Sequence, residues 1–209
     1  MNSAAINPQS FIKINKPKYI KLKLYITYSV IFVFFMLLGA TVCALLEGTV
    51  PSSVYNDMVA FFIAPEPENS IIKIISSIIF NALDIFKISI IIILSGFSYI
   101  PRPISKITAA VWSVWCGSSF FYCTHIIEHP AINTKTIILI VIVTLFYCSI
   151  FISNCVRSEL AAQELSSFRN SKQLFSSNVF WKYIGNFLIS FGYILTIYTV
   201  YIFLFNLLK

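Results

Sequence analysis

Charge is what this 209-residue sequence has least of: Asp, Glu, Lys and Arg together make up 11% of it, where soluble domains carry about 25%. Hydrophobic residues make up 58%, and 20 of them are Phe. A water-soluble core has no room for that much apolar surface, so lipid must solvate a large part of it. Nucleotide and hydrolase signatures are missing as well. Neither G-x-x-x-x-G-K-[ST] nor G-x-G-x-x-G occurs, nor does G-x-S-x-G, which argues against nucleotide hydrolysis by the chain itself. The five cysteines, Cys43, Cys116, Cys123, Cys148 and Cys155, contain no C-x-x-C pair and are odd in number. They fall in or at the ends of apolar runs and read as small packing residues, because a thiol in apolar surroundings is inert. The net charge of +7 lacks the basic stripe with interleaved aromatics that nucleic acid requires, so no nucleic-acid partner is expected.

The apolar runs predict an all-α, polytopic helical membrane protein with about five transmembrane helices and one or two interfacial helices in a single membrane domain, 1–209. A basic tail, 1–23, precedes span one at 24–46. At 1.5 Å per residue this run crosses a hydrocarbon core of about 30 Å. It is too long for a signal-peptide core and no small-x-small cleavage site follows, so it is expected to be retained. Gly39, Ala40 and Ala44 lie near one another on its surface and suit close helix packing in lipid. An external acidic segment with an interfacial helix near Ile71 to Phe80 fills 47–80. Span two, 81–100, ends before Pro101 and Pro103, which cannot continue a helix; its polar residues leave a re-entrant segment as the alternative. Span three is 104–125, and its Trp112 and Trp115 read as packing residues. Span four is 136–156. A cytoplasmic amphipathic segment, 157–179, offers Leu160, Leu165 and Leu174 to the inner leaflet. Span five, 180–208, carries Asn186, Tyr193, Thr196, Tyr198, Thr199 and Tyr201, so one face is expected to pack on protein.

The few charges are sorted along the chain. Lys13, Lys16, Lys18, Lys21 and Lys23 precede the first apolar run, whereas Glu47 to Ser70 holds Glu47, Asp57, Glu66 and Glu68 with no lysine or arginine. Five spans with a cytoplasmic amino terminus put eleven of the 15 Lys and Arg residues inside and leave Lys73, Lys135 and Lys209 outside, with Lys87 within a span. This asymmetry is the positive-inside signature of a multi-pass membrane protein with its amino end inside and its carboxyl end outside. The acidic segment becomes the external face expected to meet a partner.

Three groups of residues offer chemistry. His125-x-x-Glu128-His129 matches the H-x-x-E-H pattern, in which two histidines one helical turn apart bind zinc and the glutamate activates a water. A catalytic zinc needs a third protein ligand, and Glu159 and Glu164 fall across the membrane in this topology. The preferred reading is a polar interfacial cap on span three with no catalytic residue, metal or cofactor; a metal on His125 and His129 is the alternative. Asn81, Asp84 and Lys87 share one face of span two and form a candidate intramembrane polar seam, since ionisable groups inside a span are costly and often functional. The competing reading starts the helix near Lys87 and leaves these groups at the interface. Arg102 and Lys106, in the turn Pro101-Arg102-Pro103-Ile104-Ser105-Lys106, are candidate docking residues for a cytoplasmic partner, or simply orient the chain and touch anionic lipid.

The order of features resembles the stage II sporulation protein M family of bacterial membrane proteins. The likeness rests on the basic amino end, Leu37-Leu38-Gly39-Ala40 closing span one, Phe61-Phe62 in the outer segment, Phe80-Asn81, the turn from Gly96 to Pro101, Gly117 in span three, and Phe180-Trp181-Lys182-Tyr183 opening the last span. The family's His-Gly-x-x-Glu-x-Pro-Ala pattern corresponds here to His125-Ile126-Ile127-Glu128-His129-Pro130-Ala131, with the glycine absent and the glutamate one position early. The resemblance implies a non-catalytic subunit or scaffold of an envelope assembly, such as peptidoglycan remodelling during engulfment. The same resemblance extends to components of circular-bacteriocin maturation, export or immunity. Partners implied are the lipid bilayer and other membrane or envelope proteins, an ABC ATPase or a cell-wall hydrolase among them, with a homo-oligomer left open. A membrane metallopeptidase using His125, Glu128 and His129 is the third expectation.

Overall fold

The computed structural model describes residues 8–46, 71–97, 101–125, 134–165 and 177–208, and among them the regular structure is entirely helical. Five helices follow one another: α1 (Pro8–Leu45), α2 (Ile71–Ser95), α3 (Pro101–His125), α4 (Thr134–Leu165) and α5 (Asn178–Leu208). Their ends follow local chemistry. The α2 helix stops at Gly96, whose amide donates to the Ile92 and Ile93 carbonyls. Pro101 and Pro103 open α3, where a missing amide hydrogen costs nothing because first-turn amides have no helical acceptor. Ser177 caps α5, its Oγ accepting from the Phe180 amide at 3.2 Å.

Two boundaries differ from the sequence expectation. Ile71–Ser95 is one uninterrupted helix, where the polar residues from Lys73 to Lys87 suggested an interfacial helix followed by a span. Helix α4 runs on to Leu165, nine residues past the apolar run that ends at Val156. Arg157 to Leu165 are mostly strong helix formers without Gly or Pro. Their charges end the apolar run and leave the helix intact. Ser158, Glu159, Ala161, Ala162 and Leu165 are buried in the bundle, so these nine residues, about two and a half turns, belong to the packed core.

The α1 and α3 helices form the most extensive pairing, α4 packs on the other four, and α5 lies against α4 and α2. The α1–α3 approach depends on two glycines. A Cβ at Gly39 would collide with the backbone of Val114, and one at Gly117 with the Met36 carbonyl, so each helix is seated on the other's glycine. Of the small strip expected on α1, Gly39 makes the contact while Ala44 is exposed. One apolar cluster joins Tyr28, Phe32, Trp112, Phe151, Cys155 and Phe187, and a second joins Phe86, Leu139, Ile194, Tyr198, Tyr201 and Phe205. Trp112 packs at 5.9 Å on Phe151. Four of the cysteines, Cys43, Cys116, Cys148 and Cys155, are free and buried, in keeping with a packing role. On α5, Tyr198 and Tyr201 face inward while Tyr193, Thr196 and Thr199 do not.

The bundle is apolar on its surface as well as in its core, and it also buries polar groups. Val30, Phe34, Leu37, Leu145, Leu188 and Phe203 are each more than 60% exposed, while Ser105, Ser113, Asn154, Ser158 and Glu159 are buried. Outward hydroxyls need no water: Thr41, Ser149, Thr196 and Thr199 each donate to the carbonyl four residues earlier in their own helix. Helices α1, α4 and α5 are long and apolar enough to cross a membrane, and Phe86–Ser95 of α2 is a shorter apolar stretch.

Candidate functional site

The helices converge on a polar junction at the level where α2 ends, α3 begins and α4 leaves its apolar run. Its centre is Glu159 of α4, 3% exposed. Tyr28 Oη of α1 donates to Glu159 Oε2 at 2.9 Å and lies 2.5 Å from Ser105 Oγ of α3. A phenol has one hydrogen. With that hydrogen on Glu159, Tyr28 accepts from Ser105, and the chain Ser105 to Tyr28 to Glu159 joins three helices through fully buried atoms.

A second set of bonds closes the end of α2. The last carbonyls of a helix have no partner within it. Here the Gly96 amide is shared between two of them, and α4 and α5 add donors: Ser158 Oγ donates to the Ile92 carbonyl at 2.8 Å and Tyr183 Oη to the Ile93 carbonyl at 3.0 Å. Ser95 Oγ sits 3.0 Å from Ser158 Oγ. Gly96 makes this possible, because a Cβ there would run into Tyr183 Oη and approach Ser158 Oγ at 3.2 Å. Phe97 then stacks against Phe180 and Tyr183, with ring centroids 5.5 and 5.3 Å away.

A third set ties α4 to α5. Ser190 Oγ meets Asn154 Oδ1 at 2.9 Å, and Arg157 Nη1 donates to Ser190 Oγ and to the Asn186 carbonyl, both at 3.3 Å. Tyr25 Oη and Ser153 Oγ, 3.2 Å apart, add a further bond from α1 to α4. Most of these partners are neutral hydroxyls, amides and carbonyls, the form of interhelical bonding that lipid favours.

The residues singled out in the sequence are spread apart. His125 is the last residue of α3; its side chain, Glu128 and His129 lie outside the described residues. Among the described residues no group of three or more His, Cys, Asp or Glu is placed to hold a metal. Asn81, Asp84 and Lys87 occupy successive turns well inside α2, so the helix does not begin at Lys87. Lys87 is exposed, and the side chains of Asn81 and Asp84 lie outside the described residues. Arg102 and Lys106 stand in the first two turns of α3, with Lys106 half-buried and the Arg102 side chain outside the described residues. Between them, Ser105 carries the bond to Tyr28. The acidic segment 47–70 also falls outside.

Sequence reasoning missed the junction because its members, Tyr28, Ser95, Ser105, Ser158 and Tyr183, are the ordinary polar residues of span ends. Glu159 was assigned to a solvated segment by its neighbours' charges. The available signal was Gly96, a glycine at a span end followed by an aromatic. No protein-family model, curated protein or solved structure matches this chain.

Proposed function

We propose that this chain is a polytopic protein of a bacterial plasma membrane with about five transmembrane helices and a cytoplasmic amino terminus. It serves there as a non-catalytic subunit or scaffold of an envelope assembly, as the resemblance to the stage II sporulation protein M family suggests. The observation that carries this reading is the direction of the buried polar bonds. Ser105, Tyr28, Glu159, Ser158, Tyr183, Ser190 and Arg157 engage groups on neighbouring helices, which is the use expected of a rigid core that presents surfaces to partners. The exposed apolar flanks and the sorted lysines and arginines support the membrane setting.

Affinity purification of the full chain in mild detergent tests it. Stoichiometric recovery of another envelope protein is the expected result. A protein that purifies alone, carries zinc, and cleaves peptides in a manner lost with His125→Ala plus His129→Ala would replace the scaffold with a metallopeptidase. The acidic, cation-free stretch from Glu47 to Ser70 favours a second reading, a membrane component of circular-bacteriocin maturation, export or immunity, because that charge suits a cationic peptide. Recovery of an ABC ATPase rather than a cell-wall hydrolase separates it from the first.

A further inference from the structure

Three cations from three helices meet in one groove at the polar end of the bundle. Lys21 lies at the amino-terminal end of the apolar part of α1, Arg157 directly follows the apolar run of α4, and Lys182 stands in the second turn of α5. Together they line an open groove of about 530 Å³ between α1, α4 and α5. Among the described residues that line it, Glu164 is the one carboxylate, and Asn178 and Asn186 contribute polar groups. Three positive charges against one negative leave the groove at net +2, in a volume typical of small-ligand sites.

We propose that this groove binds a phosphate group carrying net negative charge, supplied by the headgroup of an anionic phospholipid or by a free phosphate compound. Arg157 is the fixed element. Its Nη1 is held on the Asn186 carbonyl and Ser190 Oγ, so its planar fork is oriented before a ligand arrives, and such a fork matches the paired oxygens of phosphate. Lys21 and Lys182 are exposed and act as point charges that close over the ligand from opposite helices. Leu160 and Val179 give the same groove an apolar wall, suited to the first carbons of acyl chains. Trp181, 62% exposed beside Lys182, is the kind of side chain that settles at headgroup depth. The lipid source rests on the membrane reading proposed above; the cationic groove itself does not.

The test uses the full chain purified in dodecyl maltoside, with phosphatidylglycerol, phosphatidylcholine and inorganic phosphate as separate probes in native mass spectrometry and thermal-shift titrations. The comparison is Lys21→Gln with Lys182→Gln, two exposed positions whose neutralisation leaves the core intact, and Lys21→Arg with Lys182→Arg as the charge-keeping control. Phosphatidylglycerol is expected to bind and to raise the melting temperature, with affinity weakened about tenfold or more in the glutamine pair and kept in the arginine pair. Binding by phosphatidylglycerol without inorganic phosphate assigns the groove to lipid; binding by both assigns it to phosphate compounds at large. Binding of neither, equal binding of phosphatidylcholine, or an unchanged affinity in the glutamine pair would overturn the proposal. Cysteine-accessibility labelling of the two membrane faces reads the membrane placement separately, so failure here leaves that result standing.

Discussion

Tyr28 Oη donates to Glu159 Oε2 at 2.9 Å across 131 positions of sequence, and that bond fixes the first helix to the fourth inside the bundle. Tyr28→Phe removes the donor and leaves the buried carboxyl short of it, a loss of about 1 to 3 kcal/mol. Thermal unfolding in detergent should show a lowered melting temperature. In a cycle with Glu159→Gln, the double variant should lose less than the sum of the single ones, with a coupling of about 0.5 to 3 kcal/mol. Strict additivity would mean that the two groups do not act together.

The glycines divide into two kinds. Gly39 and Gly117 let α1 and α3 touch backbone to backbone, while a Cβ at Gly185 or Gly192 meets nothing within 4 Å. Alanine at Gly39 or Gly117 should destabilise by about 1 to 3 kcal/mol through overpacking. Alanine at Gly185 or Gly192 should be neutral or stabilise by about 0.5 to 1 kcal/mol, since glycine is the poorer helix former. Melting temperatures of the four variants check the sign at each site.

Gly96 and Tyr183 make a pair in which one residue is small because the other is long. Gly96→Ala should push the Tyr183 hydroxyl off the Ile93 carbonyl and lower the melting temperature. Adding Tyr183→Phe removes the nearer of the two obstructing atoms, the oxygen, and leaves the ring Cζ against the new methyl, so it should restore part of the loss even though Tyr183→Phe alone costs a hydrogen bond. A double variant less stable than Gly96→Ala alone would refute this account of the turn.

Helical class and the membrane-crossing character of three helices were legible because they depend on apolar composition, which a linear reading captures. Gly39 was legible for the same reason: small residues stand out in an apolar run. The break expected in α2 at Asn81 is absent, and α4 continues past the apolar run that ends at Val156, because charge ends an apolar run while a helix continues when its residues are good helix formers and its neighbours bury them. Glu159 falls by its neighbours' charges in the cytoplasmic amphipathic segment, because a linear reading does not show what packs beside it. Its partner Tyr28 lies 131 positions away, and Ser105, bonded to Tyr28, lies 77 positions from that tyrosine; no spacing rule connects them.

The central claim, a topology with the acidic segment outside, the segment after span four inside and an odd number of spans between them, is tested most directly by cysteine accessibility in the full chain with its five native cysteines replaced. Ser53→Cys should react with a membrane-impermeant maleimide on intact cells, and Ser171→Cys should react only after permeabilisation. Reaction of both positions on the same side of the membrane would contradict the topology and the external placement of the acidic segment with it.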